Sequence, residues 1–345
     1  MKSKLLLVVF VLFSMGVFSQ MRIVALHNPV NGVQYFAESQ TDFQPFLNAY
    51  AAAVDGDTIY VSGGNHNVPP LFDKSLTIYG AGHYPSATTE TQRTQFNSSI
   101  TFGDNADGFH LEGIYVNGAI YFNDVPTLDI VIKRCNIESS VYSSGTSGNY
   151  GTNCVFNENI IKGSLDLNNL RSCQFVSNMI FGTISNATNH IFLNNNFMAY
   201  QLGGWDDGWT IYYANGCVFN NNIFVRSRDY VCQNGTNVWN NNIFHINPTL
   251  GLNPIVTNSI IMDPTLVFLS YTANTNFSYT QDYHLTATAL THLGTDGSQR
   301  GIYGGTASFK DEAIPVNPHI SSAVISPEST AGQINVNIQV QAQSR

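Results

Sequence analysis

Charged side chains are scarce in this sequence. Only 11% of its 345 residues are Asp, Glu, Lys or Arg, and acidic residues outnumber basic ones by 23 to 14. Polar surface must therefore come from Asn, Ser, Thr and Gln, which suits stacked strands because like charges on adjacent strands repel. The formal net charge of −9 also argues against a nucleic-acid partner, and we expect none.

Long apolar runs are missing beyond the first 20 residues. No later run reaches the roughly 18 residues of a membrane span, so we expect no membrane span. The N-terminus combines Lys2 and Lys4 with LLLVVFVLF (5–13) and VFS (17–19), a pattern typical of a secretory signal peptide. We predict that residues 1–19 are removed after Ser19, which leaves 12 basic and 23 acidic residues and a net charge of −11. A secreted or periplasmic protein is the expected product.

The common catalytic signatures are also missing. The chain contains no HExxH, no Walker loop, no convincing nucleophile elbow and no zinc-binding spacing. These absences remove the usual sequence evidence for a zinc peptidase, a P-loop NTPase or an α/β-hydrolase. We expect no cofactor, with calcium left open and any metal ligands unknown.

What the sequence does contain is a repeat with a period near 20 residues. If the first apolar residue after a polar pair is taken as an anchor position, the steps between anchors are 19, 18, 26, 20 and 17 residues, preceded by two steps of 23. Such a period is typical of a solenoid, in which each copy buries its apolar side chains against the next. The copies are CVFNENII (154–161), CQFVSNMIF (173–181), IFLNNNFM (191–198), CVFNNNIF (217–224), VWNNNIF (238–244) and IVTNSIIM (255–262), with anchors Ile114, Ile137, Ile160, Met179, Phe197, Ile223, Ile243 and Ile260.

Two columns of residues follow from this alignment. Asn dominates the position before the anchor, where it tolerates a left-handed bend and can form a hydrogen-bonded ladder between neighbouring coils. Large apolar residues dominate the position four before the anchor, and we predict that they point inward. The first column is Asn136, Asn159, Asn178, Asn196, Asn222 and Asn242; the second is Phe156, Phe175, Leu193, Phe219, Trp239 and Val256.

With these columns, the chain resembles secreted parallel β-helix proteins of the pectate-lyase-like superfamily. DGDTIYVSGGNH (55–66) and SLTIYGAG (75–82) are similar to the opening coils of such proteins, and the resemblance covers roughly residues 42–310. It implies an all-β fold, a right-handed parallel β-helix solenoid with an N-terminal capping helix and a C-terminal β-hairpin. The superfamily includes lyases, hydrolases, phage spikes and proteins of no known activity, so it implies fold more strongly than chemistry.

The ends of the chain complete this prediction. DFQPFLNAYAAAV (42–54) has the apolar spacing of an amphipathic helix, which would cover the open end of the solenoid. The segment 279–309 resembles the part that finishes the sheet in secreted β-helix proteins. INVNIQVQ (334–341) alternates apolar and polar residues as a half-buried strand does, and we pair it with HISSAVI (319–325) in a hairpin. We therefore divide the chain into a signal peptide (1–19), a β-helix domain with its cap (20–310) and a hairpin extension (311–345).

Five cysteines in an exported chain suggest disulfides, but their spacing favours free thiols. Cys154, Cys173 and Cys217 each lie six residues before an anchor and therefore occupy one column. In-register neighbours on parallel strands lie about 4.8 Å apart, farther than the roughly 3.8 Å between the Cβ atoms of a relaxed disulfide. We expect buried free thiols.

The longest step between anchors, 26 residues, indicates where function is concentrated. It contains YQLGGWDDGW (200–209), and the next coil carries VRSRDYV (225–231) in the same place. In a chain this poor in charge, we expect these residues and His245 to lie on one lateral ridge, with neighbouring coils about 4.8 Å apart. The candidate catalytic residues are Asp206, Asp207, Arg226, Arg228 and Asp229, and the candidate substrate-binding residues are Trp205, Trp209, Tyr230 and His245.

The resemblance implies a carbohydrate groove built from such long loops. Tryptophan rings would stack on sugar faces, an arginine would hold a uronate carboxylate, and the aspartates would supply an acid and a base or a calcium site. Of the polygalacturonase motifs, however, only an Asp-Asp pair is present, as Asp206 and Asp207. The dense acidic cluster of the calcium-dependent pectate lyases is missing.

Two hypotheses of function remain. In the first, a secreted monomer binds extracellular polysaccharide on the ridge, with lyase or glycosidase-like cleavage as an open extension. In the second, a rigid rod serves as a non-catalytic structural or adhesive surface protein, its WDDGW loop is only a tight turn, and its Arg-x-Arg-Asp segment is a structural ion pair.

Overall fold

Each internal coil of the solenoid contributes one short strand to each of three sheets. The computed structural model describes residues 21–342 except 124–125, 144, 146–147, 199–207, 227–228, 273–274, 317 and 331, and it describes only the backbone of 327–330. The predicted signal peptide therefore lies outside the described residues, as do Trp205, Asp206, Asp207 and Arg228.

The three sheets are named A, B and C here, and their strands are given from one edge to the other. Sheet A consists of β2 (Gly32–Ala37), β1 (Ile23–Asn28), β3 (Thr58–Val61), β5 (Thr77–Tyr79), β8 (His110–Glu112), β11 (Val131–Lys133), β15 (Val155–Asn157), β19 (Gln174–Val176), β22 (Ile191–Leu193), β25 (Val218–Asn220), β28 (Val238–Asn240) and β31 (Ile255–Thr257). Sheet B consists of β4 (Gly64–His66), β6 (Thr94–Phe96), β9 (Tyr115–Val116), β12 (Asn136–Ile137), β16 (Ile160–Ile161), β20 (Met179–Ile180), β23 (Asn196–Phe197), β26 (Ile223–Phe224), β29 (Ile243–Phe244) and β32 (Ile260–Ile261). Sheet C consists of β7 (Ile100–Phe102), β10 (Ile120–Phe122), β13 (Val141–Ser143), β17 (Leu165–Asp166), β21 (Ile184–Thr188), β24 (Ile211–Asn215), β27 (Tyr230–Cys232) and β30 (Thr249–Leu250).

Neighbouring coils pair in parallel, and among the described strands of sheets A, B and C only β1 pairs in antiparallel fashion, with β2 and β3. A small parallel pair, β14 (Gly151–Thr152) and β18 (Leu170–Arg171), extends one side of two coils. The predicted all-β parallel solenoid is thereby confirmed, with about nine turns. Its right-handedness and the capping role of the N-terminal helix stay predictions.

Aromatic rings stack along the interior under sheet A. Successive ring centroids in one stack are 4.7, 4.8, 4.7 and 4.1 Å apart, and the rings are within 14° of parallel. These distances follow from the spacing of neighbouring strands. The stack corrects one prediction, because Phe192 and not Leu193 points inward in its coil. Its members are Phe156, Phe175, Phe192, Phe219 and Trp239.

An asparagine ladder runs beside this stack. Between neighbouring coils, the side-chain Oδ1 of the later asparagine accepts two hydrogen bonds of 2.8 to 3.1 Å. The donors are the backbone N–H and the Nδ2 of the asparagine one coil earlier. The ladder consists of Asn159, Asn178, Asn195, Asn222 and Asn242. The prediction is wrong for two members of the ladder, Asn136 and Asn196. In the strand register, Asn136 lies beside Ile160 and Asn196 lies beside Met179. Both therefore occupy anchor positions, and the left-handed bend lies one residue before the ladder, as at Ser177.

Four of the anchors lie on the outer face of sheet B, beneath a later part of the chain, whereas Ile114, Ile137 and Phe197 belong to the solenoid interior. Residues 264–316, called the strap, cross the outer face of sheet B and bury Ile160, Met179, Ile223 and Ile243. Strands β16, β20, β26, β29 and β32 of sheet B are pairs of consecutive apolar residues, as expected for strands covered on both faces. The strap contains helix α2 (Pro264–Val267) and a 3-10 turn (Ala289–Thr291). The prediction that 279–309 finishes a sheet is wrong.

The terminal elements differ in how well they are covered. Helix α1 (Pro45–Ala52) is shorter than the predicted 42–54. Its Phe46 packs on Phe96, with ring centroids 4.8 Å apart. The C-terminal hairpin of β33 (His319–Thr330) and β34 (Gln333–Gln341) is confirmed, but every residue of β34 is exposed, so the expected half-buried strand is wrong.

The structure also bears on the predictions about the cysteines and about membrane spans. All five cysteines lie in the described part of the chain, and all are buried and free, which confirms the prediction made from the shared column of Cys154, Cys173 and Cys217. Within the described residues, no helix is long and apolar enough to cross a membrane.

Candidate functional site

The turns between sheets B and C carry the described part of the predicted ridge. Arg226 follows β26, Asp229 precedes β27, and His245 follows β29, so they occupy this turn in successive coils. Trp209 closes the long turn before β24. How Trp205, Asp206, Asp207 and Arg228 are arranged lies outside the described residues, and their roles stay predictions.

An aromatic pair is the best-defined feature of the ridge. The rings of Trp209 and Tyr230 lie 4.9 Å apart between centroids and are tilted by 40°. The Thr210 backbone N–H donates to the Tyr230 carbonyl at 3.0 Å, which holds the two turns together. Because Thr210 is buried while both rings keep solvent-accessible surface, the backbone is fixed and the ring faces are partly available to a ligand.

The polar members of the ridge are held less uniformly. Asp229 is exposed, and its carbonyl accepts from the N–H groups of Val231 and Thr249. His245 contacts the coils on both sides, with Nδ1 3.3 Å from the Val225 carbonyl of the preceding coil and Nε2 3.9 Å from the Asp263 carboxylate of the following coil. These contacts give His245 a structural partner beside its predicted binding role.

A groove on the opposite border of sheet C was missed by the sequence analysis. It has a volume of about 330 Å³ and is lined mainly by amides, hydroxyls and one guanidinium. The parallel register between β21 and β24 skips Asn186 and Tyr213, and both residues have φ near +58°. Tyr213 is 55% exposed, and a tyrosine in the left-handed region is strained. The matching segments ISNAT (184–188) and IYYAN (211–215) are the sequence signal that would have located this groove.

Arg171 supplies the positive charge of this groove. Its Nη1 donates to the carbonyls of Asn168 and Leu170 at 2.7 Å, and its guanidinium lies 4.2 Å from the centre of the Tyr150 ring. The side chain is therefore held in place at the groove wall. A fixed guanidinium suits recognition of a carboxylate, because its N–H groups match the two oxygens.

Over the described ranges, no group of three or more His, Cys, Asp or Glu side chains is placed to hold a metal ion. No known protein family matches the chain, and no curated protein or solved structure is significantly similar to it.

Proposed function

We propose that this chain is an exported protein that binds extracellular polysaccharide along the outer side of sheet C. The observation that supports the proposal most is the partly exposed Trp209–Tyr230 pair, 4.9 Å between centroids, on two adjoining coils. Neighbouring aromatic faces offer large rigid apolar area together with a polar group at the edge, which suits the alternating CH and hydroxyl faces of sugars. Relation to the pectate-lyase-like superfamily and secretion by the N-terminal signal belong to this proposal.

The surface between the ridge and the groove extends the binding face. One outward column of sheet C contains Tyr121, Tyr142, Asp166, Ser185 and Tyr212 in register. The first two rings are stacked with centroids 5.3 Å apart. A column of rings and polar groups parallel to the solenoid axis favours an extended chain ligand over a compact one. Arg171, at the far border, would select a polysaccharide that carries carboxylates.

Cleavage is the finer part of the proposal. Asp206, Asp207 and Asp229 would act as acid and base, and Arg226 or Arg228 would neutralise a uronate carboxylate beside the reacting carbon. A non-catalytic adhesive rod is the second candidate. It is favoured by the exposed apolar side chains of the C-terminal hairpin and of the last coil, since exposed apolar patches mark surfaces that contact partners.

Binding to a panel of uronate-containing and neutral polysaccharides tests the proposal. We expect the wild-type protein to bind at least one, and Trp209→Ala to weaken that binding about tenfold, equivalent to about 1.4 kcal/mol. Tyr35→Ala is the matched control, because Tyr35 is an exposed aromatic residue on β2, away from sheet C. Equal affinity of Trp209→Ala and wild type for every ligand, with the fold intact by circular dichroism, would refute the ridge as the binding site. Release of reducing ends or unsaturated products by wild type, lost in Asp229→Asn, would establish cleavage.

A further inference from the structure

The strap forms a second cavity that the polysaccharide proposal does not use. This cavity, called the strap cleft, has a volume of about 300 Å³ and lies between the strap and the loop that follows β5. The ridge, in contrast, is built from turns between sheets B and C. The lining residues that carry the argument are Tyr84, Asp282, Tyr283, His284, Tyr303 and Asp311.

Aromatic rings form the walls of the strap cleft. His284 and Tyr303 are stacked with centroids 3.9 Å apart and planes within 9°. Tyr84 lies against Tyr279, with centroids 4.6 Å apart, in an edge-to-face arrangement. The Tyr303 hydroxyl donates to Asp311 Oδ1 at 2.5 Å, which fixes the ring and the carboxylate together.

The charge of the strap cleft is negative. Asp282, Asp311 and Glu312 line it, and none of its described lining residues is Lys or Arg. Asp282 accepts from the backbone N–H and from Nδ1 of His284, at 3.0 and 2.7 Å. The hydrogen bond from the His284 backbone N–H lowers the pKa of the Asp282 carboxyl, so this group is ionised at neutral pH. The cleft therefore presents fixed carboxylates beside aromatic faces.

The Tyr283 hydroxyl in the wall of the strap cleft is buried and has no hydrogen-bond partner. Tyr283 is only 3% exposed and lines the cleft, yet its hydroxyl makes no hydrogen bond. The Ser278 backbone N–H lies close to this hydroxyl but not in hydrogen-bonding geometry. Because buried polar groups are normally paired, this hydroxyl leaves an unmet hydrogen bond in the wall of the strap cleft.

The chemistry of the lining determines the class of ligand. Carboxylates and electron-rich ring faces both attract cations. The described side chains form no group placed to hold a metal ion, which favours a larger cation that spans carboxylates and rings together. We propose that the strap cleft binds the ammonium group of a small organic amine, such as an aminosugar or an alkyl diamine. The amine charge contacts Asp282 and Asp311, and its CH groups pack on Tyr84 and Tyr303.

Isothermal titration of the mature protein with glucosamine, putrescine and glucose tests this site. We expect at least one of the two amines to bind and glucose, which lacks the charge, not to bind. Glucosamine alone indicates an aminosugar ligand, and putrescine alone indicates an alkyl amine. Binding should weaken as the salt concentration rises, because the attraction is between charges. The site is refuted if neither amine binds at millimolar concentration, or if glucose binds as tightly as the amines.

Variants separate the strap cleft from the ridge. Asp311→Asn removes one charge at a half-exposed position and is expected to weaken amine binding about tenfold. Asp166→Asn removes a partly exposed carboxylate on sheet C and should leave amine binding unchanged. Trp209→Ala should also leave it unchanged, so failure of the polysaccharide proposal would not affect this result. Wild-type affinity in a folded Asp311→Asn protein would overturn the proposal.

Discussion

Two buried histidines make the stability of this solenoid sensitive to pH. His66 and His83 are almost completely buried, and burial lowers their pKa values to about 4 and about 3. The His83 Nδ1 lies 3.1 Å from the Tyr279 hydroxyl of the strap. Both imidazoles are therefore neutral in the folded protein at pH 7, and the folded state resists their protonation.

We predict that stability falls as the pH is lowered from about 6.5 to about 3. Above pH 6.5 both states are neutral at these positions, whereas within this window the unfolded chain binds protons that the folded chain does not. His83→Gln should therefore reduce the slope of the unfolding free energy by up to roughly 1.4 kcal/mol per pH unit. Urea unfolding between pH 8 and pH 4 measures the slope. At pH 8 the same variant reports only its packing cost, and an unchanged slope would show that His83 binds its proton as readily in the folded state as in the unfolded state.

The asparagine ladder could be predicted from the repeat at most of its positions but not at all of them. The asparagine ladder was found because five coils place the same amide in the same register. Asn136 and Asn196 were misplaced because a polar residue stands at the anchor position in their coils, so a rule based on the first apolar residue slipped by one. Asn136 is tolerated there because its Nδ2 donates to the Tyr279 hydroxyl at 2.8 Å.

The strap is attached to the coils by buried charge as well as by apolar packing. Arg134, which is 1% exposed, donates to Glu158 Oε2 at 2.9 Å, to Glu112 Oε1 at 3.3 Å and to the Ile314 carbonyl of the strap at 3.0 Å. Burial raises the pKa of Glu158. Burial opposes ionisation of Glu112 too, but hydrogen bonding and charge from His110, Lys133 and Arg134 outweigh it and lower that pKa. One guanidinium therefore serves two carboxylates and one strap carbonyl.

Arg134→Met is predicted to destabilise the protein by about 3–5 kcal/mol, because it leaves two buried carboxylates without their shared cation. Urea unfolding measures this loss, and hydrogen exchange should show faster exchange of amides in 310–316. The triple variant Arg134→Met, Glu112→Gln, Glu158→Gln should recover much of the stability, since the uncompensated charges are gone. If the triple variant is as unstable as the single one, the loss comes from packing and not from charge.

The first and last coils of the solenoid differ in how well other parts of the chain cover them. At the N-terminal end, helix α1 and the β1–β2 hairpin lie on the first coils. At the other end, Val256 is 48% exposed although it continues the column of Trp239, which is 0% exposed. The last coil has a neighbour on one side only and therefore lacks half of the stabilising contacts of an internal coil.

Hydrogen exchange should therefore begin at the C-terminal coil. We predict that amides of β31 and β32 exchange much faster than those of β19 and β22, because a terminal coil opens without breaking the rest of the stack. The first coils, where α1 packs, serve as the internal control. Protection of β31 equal to that of β22 would contradict the prediction and would show that another molecule covers this end.

The sequence alone determined the repeat period, most of the inward aromatic column, most of the ladder and the buried free thiols. Stacked coils require similar side chains at equivalent positions, so these features recur along the chain and can be recognised without coordinates. The tertiary structure alone decided that the strap covers sheet B, that Arg171 and Tyr213 line one groove, and that Tyr84 and Tyr303 line one cleft. These contacts join segments with no common period, some of them nearly 200 residues apart, as His83 and Tyr279 are. Such pairs depend on the path of the folded chain, which no local pattern of residues specifies.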